Sequence, residues 1–93
     1  MLIISTQRSA SYNNMGNLEY AAGNQVEAKR YLDRAIAIRQ TAGDDAAGLL
    51  ATSYLCISRV YYADRDYKTA FHMVGKAESL FVRTIGAAAH FMA

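Results

Sequence analysis

Proline and tryptophan are absent from this chain of 93 residues, and cysteine occurs once, as Cys56. A lone cysteine excludes an internal disulfide and fits a reducing compartment. Without proline, and with abundant alanine among other helix-favouring residues, helix is the expected state. Excess charge of one sign is also lacking. Ten basic residues nearly match eight acidic ones, and a net charge of +2 is too small to point to nucleic acid or an anionic membrane. No apolar run reaches the length of a membrane span, and the opening MLIIS is far shorter than a signal-peptide core. The expectation is a soluble cytoplasmic protein. What is present is 53% hydrophobic and 19% charged, a globular composition, and the length allows one small domain with a modest core.

The stretch Tyr12 to Ile38, YNNMGNLEYAAGNQVEAKRYLDRAIAI, reads as two helices joined at Gly23-Asn24. A second stretch of the same pattern runs from Tyr54 to Leu80, a step of 42 residues. At this step Ser11, Tyr12, Tyr20, Ala21, Ala28 and Ala35 fall on Ser53, Tyr54, Tyr62, Ala63, Ala70 and Ala77. Met15, Leu18, Asn24, Leu32 and Ile38 fall on the similar Ile57, Val60, Asp66, Val74 and Leu80. Small residues recur where paired helices approach closely and large ones where gaps are filled. A fixed period of a few tens of residues implies a stacked array.

Apolar spacings of three and four predict four helices. The first covers about Gln7 to Ala22, with Tyr12, Met15, Leu18 and Ala22 on one face; Met1 to Thr6 give no clear element. The second covers about Gln25 to Gln40, with Ala28, Tyr31, Leu32, Ala35 and Ile38 inward. Gly23 suits a left-handed helix end, and Asn24 suits the next cap. Thr41 to Ala46 is a loop in which Asp44 or Asp45 is placed to cap a third helix, Ala47 to Ala63. After the turn Asp64-Arg65-Asp66, the fourth helix runs to about Arg83, with Ala70, Val74, Ala77 and Phe81 inward. Gly75, in its interior, suggests close approach of a neighbour. Ile85-Gly86 reads as a break, with a fifth helix beginning at Ala87.

This pattern resembles the tetratricopeptide repeat. The places of its large aromatic, Leu-Gly-like pair, Tyr, turn Gly, Ala, large residue and Ala hold Tyr12, Met15-Gly16, Glu19, Gly23, Ala28, Leu32 and Ala35. In the second unit they hold Tyr54, Ile57-Ser58, Tyr61, Arg65, Ala70, Val74 and Ala77. Glu19, Ser58 and Arg65 depart from the pattern, and the closing Pro is missing. The longer period is similar to the extended-loop variant of kinesin light chains. The resemblance implies an all-α fold, an α-solenoid of antiparallel helical hairpins. Its units lie at about 9–42 and 51–84, with the start of a third pair at about 87–93.

The resemblance further implies a protein-protein interaction scaffold that binds a peptide or partner domain in a concave groove. Groove positions carried over residue by residue are Asn13, Asn17 and Tyr20, then Leu55, Arg59 and Tyr62. Asn can bond a peptide backbone both ways, and Arg can hold a carboxylate. Against this, helix Asn residues are often merely solvated, and Tyr at helical spacing is more often core. The alternative function is a fragment of a longer array with a structural or oligomerisation role in a multidomain signalling protein, including self-association through an uncapped edge. No cofactor, metal or catalytic constellation is expected. His72 and His90 have no partner at ligand spacing, and Cys56 reads as a buried, inert thiol.

Overall fold

The computed structural model describes the backbone of residues 2–92 and the side chains of residues 5–86 apart from Asp45. The described residues form helices α1 (Leu2–Ala21), α2 (Gln25–Thr41), α3 (Ala47–Ala63) and α4 (Tyr67–Met92), with a short 3-10 turn at Asp44–Ala46. Helices α1 and α2 pair as one hairpin, α3 and α4 as a second, and α2 and α3 join the two.

The two tight turns are built alike, bond for bond. In the first, Gly23 N–H donates to Tyr20 O at 3.0 Å and Asn24 N–H to Glu19 O at 2.8 Å. In the second, Arg65 N–H donates to Tyr62 O at 3.0 Å and Asp66 N–H to Tyr61 O at 2.9 Å. Each donor and acceptor lies 42 residues beyond its counterpart. This doubly bonded helix end needs a left-handed residue. Gly23 supplies it at φ 84°, and Arg65 adopts it at φ 64° despite its side chain. The following helix is capped differently in the two units. Asp66 Oδ1 accepts from Thr69 N–H at 3.3 Å, as a cap should. Asn24 makes no such cap bond; its amide donates to Glu19 Oε2 instead. Asp44 does not cap α3 either but reaches Arg83, and the Asp45 side chain lies outside the described residues.

One core runs through both hairpins. Ala28, Leu32, Ile36, Ala51, Tyr54, Ile57, Val60 and Ala77 are its buried members, with Tyr20, Leu50, Cys56, Tyr61, Met73 and Leu80 packed around them. Gly16 explains how α1 gets near enough. A Cβ there would stand 2.6 Å from Leu32 Cγ and 3.2 Å from the Ala28 carbonyl oxygen. The equivalent aromatics share an environment as well. The Arg34 guanidinium lies 5.5 Å from the Tyr12 ring, and the Lys76 ammonium 5.3 Å from the Tyr54 ring.

Several expectations are corrected. Helix α1 begins at Leu2, so residues 2–6 are not formless. Its buried positions are Ser9, Asn13 and Gly16 rather than Met15 and Leu18, which are exposed. The reason is position: Ile57 and Val60, their counterparts in α3, are covered because α3 has the first hairpin beside it, and α1 has no such neighbour among the described residues. In α2, Ile36 and Arg39 are buried while Ile38 is only half-buried. In α4, Met73 and Leu80 pack on the core, whereas Val74 and Phe81 are exposed. Gly75 has open space where its Cβ would stand. No break occurs at Ile85-Gly86, and the helix runs through to Met92, so no fifth helix begins at Ala87. With neither Pro nor a left-handed residue there, nothing stops it.

Candidate functional site

The six positions expected to meet a peptide divide into three groups. Asn13 lies inside the protein. Its Oδ1 accepts from Ser53 Oγ at 2.8 Å, and its amide donates to Cys56 Sγ at 3.8 Å. The expectation that Asn13 faces a ligand is therefore corrected: both ends of its amide are taken, at 6% exposure. Asn13 belongs to a polar seam between the hairpins centred on Arg39. The Arg39 guanidinium donates to Ser9 Oγ at 3.1 Å, Leu49 O at 2.9 Å and Ser53 Oγ at 2.7 Å. All three acceptors are neutral, and burial pushes the guanidinium below its ordinary range. Cys56, expected to be buried, is half-buried at the edge of this seam.

Asn17 and Tyr20 act on a third residue. Arg59 Nη2 donates to Asn17 Oδ1 at 3.0 Å, and its guanidinium stacks 4.4 Å from the Tyr20 ring. Two side chains of α1 thus hold an arginine of α3 in place. A guanidinium has five N–H donors, so one bond to Asn17 leaves it able to meet a carboxylate or a carbonyl.

Leu55, Arg59 and Tyr62 do come together. With Ser58 of α3 and Ala70, Phe71 and Val74 of α4 they line a groove of about 260 Å³. Helical spacing puts Leu55, Arg59 and Tyr62 on successive turns of one α3 face. Tyr62 is braced edge-on by Tyr67 at 5.1 Å, which orients its ring. Phe71 is 75% exposed and Tyr62 63%, so large apolar groups stand open on either wall. The α4 half of this groove was missed in the sequence. The signal that could have found it is the 42-residue step, which puts Phe71 where the first unit has Lys29, a residue engaged with α3.

A family model for the tetratricopeptide repeat matches residues 7–81. The chain belongs to the tetratricopeptide repeat family. Neither the curated proteins nor the solved structures contain a match. Tetratricopeptide repeats are generally protein-protein interaction modules. Among the described residues, no three His, Cys, Asp or Glu side chains gather to hold a metal ion, and no helix is long and apolar enough to cross a membrane.

Proposed function

We propose that this tetratricopeptide repeat chain holds a peptide or partner domain against the groove lined by Leu55, Arg59, Tyr62, Phe71 and Val74. The observation that carries the reading is the groove itself: apolar walls from two helices, with one pre-positioned guanidinium. Apolar surface supplies affinity, and Arg59 selects a partner offering a carboxylate or carbonyl beside apolar groups. Asn17 and Tyr20 are positioning residues for Arg59.

The test is a fluorescence-anisotropy panel of peptides pairing hydrophobic residues with an acidic one, read at two salt concentrations. Leu55→Asp should abolish binding, and Arg59→Ala should raise Kd by roughly tenfold, about 1.4 kcal/mol. Unchanged affinity in both variants would overturn the reading. So would binding lost only on changing Arg30 and Arg34, on α2.

A second reading, a piece of a longer stack with a structural role, has its own support. Met15 and Leu18 are 40% and 70% exposed, while their counterparts Ile57 and Val60 are 1% and 0% exposed. Val82 and Ile85 stand open on α4. Helicity that rises with protein concentration, without peptide binding, favours this reading over the first.

A further inference from the structure

We infer that the α3/α4 face takes one amphipathic α-helix of a separate polypeptide, seated as α3 is seated on the first hairpin; this rests on the groove being a protein-binding site. The inference comes from comparing the two hairpins at the 42-residue step. On the first, α3 engages Asn13 through Ser53 and Cys56, and Asn17 and Tyr20 through Arg59. It engages Lys29 through Tyr61 and Asp64, and Arg39 through Ser53 and the Leu49 carbonyl. The residues one step on are Leu55, Arg59, Tyr62, Phe71 and Phe81. All five are exposed. The second hairpin therefore repeats, uncovered, the surface that the first uses to receive a helix.

The repeated surface differs in chemistry, and the difference defines the occupant. Leu55, Phe71 and Phe81 stand where the first hairpin has Asn13, Lys29 and Arg39. An incoming helix must present apolar side chains where α3 presents Ser53 and Cys56. Polar groups there would lose water without gaining a partner. A second copy stacked head to tail, as the two hairpins are, fails that requirement. Its α1 would bring Ser11, Asn14 and Glu19 to the places of Ser53, Cys56 and Tyr61. Helix α4 does not itself fold back to supply the occupant, as the end of α2 leads into α3. Helix α2 ends at Thr41, and the backbone turns at Gly43 to bring α3 across. At the corresponding place, 83–85, α4 has no such turn and continues as helix to Met92.

The probe is a lactam-bridged 17-residue peptide with the α3 sequence Ala47–Ala63, carrying Arg59→Glu in both versions to meet Arg59 of the chain, and Ser53→Leu and Cys56→Leu in the substituted one. It is labelled and titrated with the full chain. The substituted peptide should bind roughly tenfold or more tighter than the one keeping Ser53 and Cys56. Binding should be lost in Phe81→Asp and in Phe71→Asp, each checked by circular dichroism for unchanged helix. Equal affinity of the two peptides, or indifference to Phe71→Asp, would sink the inference. A chain that sediments as a dimer, and becomes monomeric on Phe71→Asp, would show a second copy in the seat and overturn it too. If extended peptides bind in an Arg59-dependent way while neither helix binds, the helix is wrong and the groove stands. If nothing binds, both fall.

Discussion

Gly16 and Gly75 look alike in the sequence, since both interrupt helices, yet their surroundings make opposite demands. Gly16→Ala would drive a Cβ into Leu32 and toward the Ala28 carbonyl. Overpacking of that kind costs about 1–3 kcal/mol, partly offset by the better helix propensity of Ala. A net loss of about 1–2 kcal/mol should appear as a lower midpoint in urea unfolding. Gly75→Ala meets open space and should gain about 0.5–1 kcal/mol in the same assay. Arg65 is the third informative residue. It occupies the left-handed position that Gly23 fills in the first turn, and non-glycine residues pay roughly 1 kcal/mol or more there. Arg65→Gly should raise the midpoint. At this scale the small residues were legible at Ala28, Ala35, Ala70 and Ala77, because they recur at the step. Burial of Asn13 and Arg39 was not legible. Ser53 lies 40 residues from Asn13 and Ser9 lies 30 from Arg39, and only the folded helices bring them together.

At the scale of elements, α3 was placed to the residue, while α1 and α4 were each cut short. The ends that were found carry a turn signal, such as Gly23 or Asp64-Arg65-Asp66. The ends that were missed lie in apolar sequence whose spacing does not say where a helix stops. The face of α1 was misread for a related reason. Periodicity shows which residues share a side, but only the neighbour decides which side is covered. Contacts between elements bring a pH dependence. Lys29 of α2 meets Asp64, at the end of α3, at 2.7 Å. The hydrogen bond to Asp64 outweighs desolvation and holds the ammonium above its ordinary value of 10.5, with the Asp64 charge adding to it. A raised lysine pKa adds stability that is complete below the unfolded value and lost as pH rises through the folded one. The pair is partly exposed, so its contribution is about 0.2–1 kcal/mol. The stability difference between the native chain and Lys29→Met should hold steady from pH 7 to 9 and shrink above about 10.5. A difference growing with alkali in chemical denaturation would contradict this.

Across the whole molecule, two hairpins repeat in turn bonds, in stacked cations over Tyr12 and Tyr54, and in small-residue seams. That much of the fold was readable, since a repeat writes its own alignment. The sequence singled out Leu55, Arg59 and Tyr62, which line the α3/α4 groove, but expected a groove along α1 and α3; the α4 wall was hidden because Val74 was assigned to the core. Stability of such a stack depends on neighbours, so the exposed apolar residues of the α3/α4 face are where the molecule has most to gain from a partner. The measurement closest to this claim is an amide NMR titration of the labelled chain with a binder from the peptide panel. Shift changes should cluster at residues 55–62 of α3 and 70–81 of α4, and vanish in Leu55→Asp. Changes centred instead on the outward side of α2, at Arg30, Asp33, Arg34 and Ala37, would contradict it.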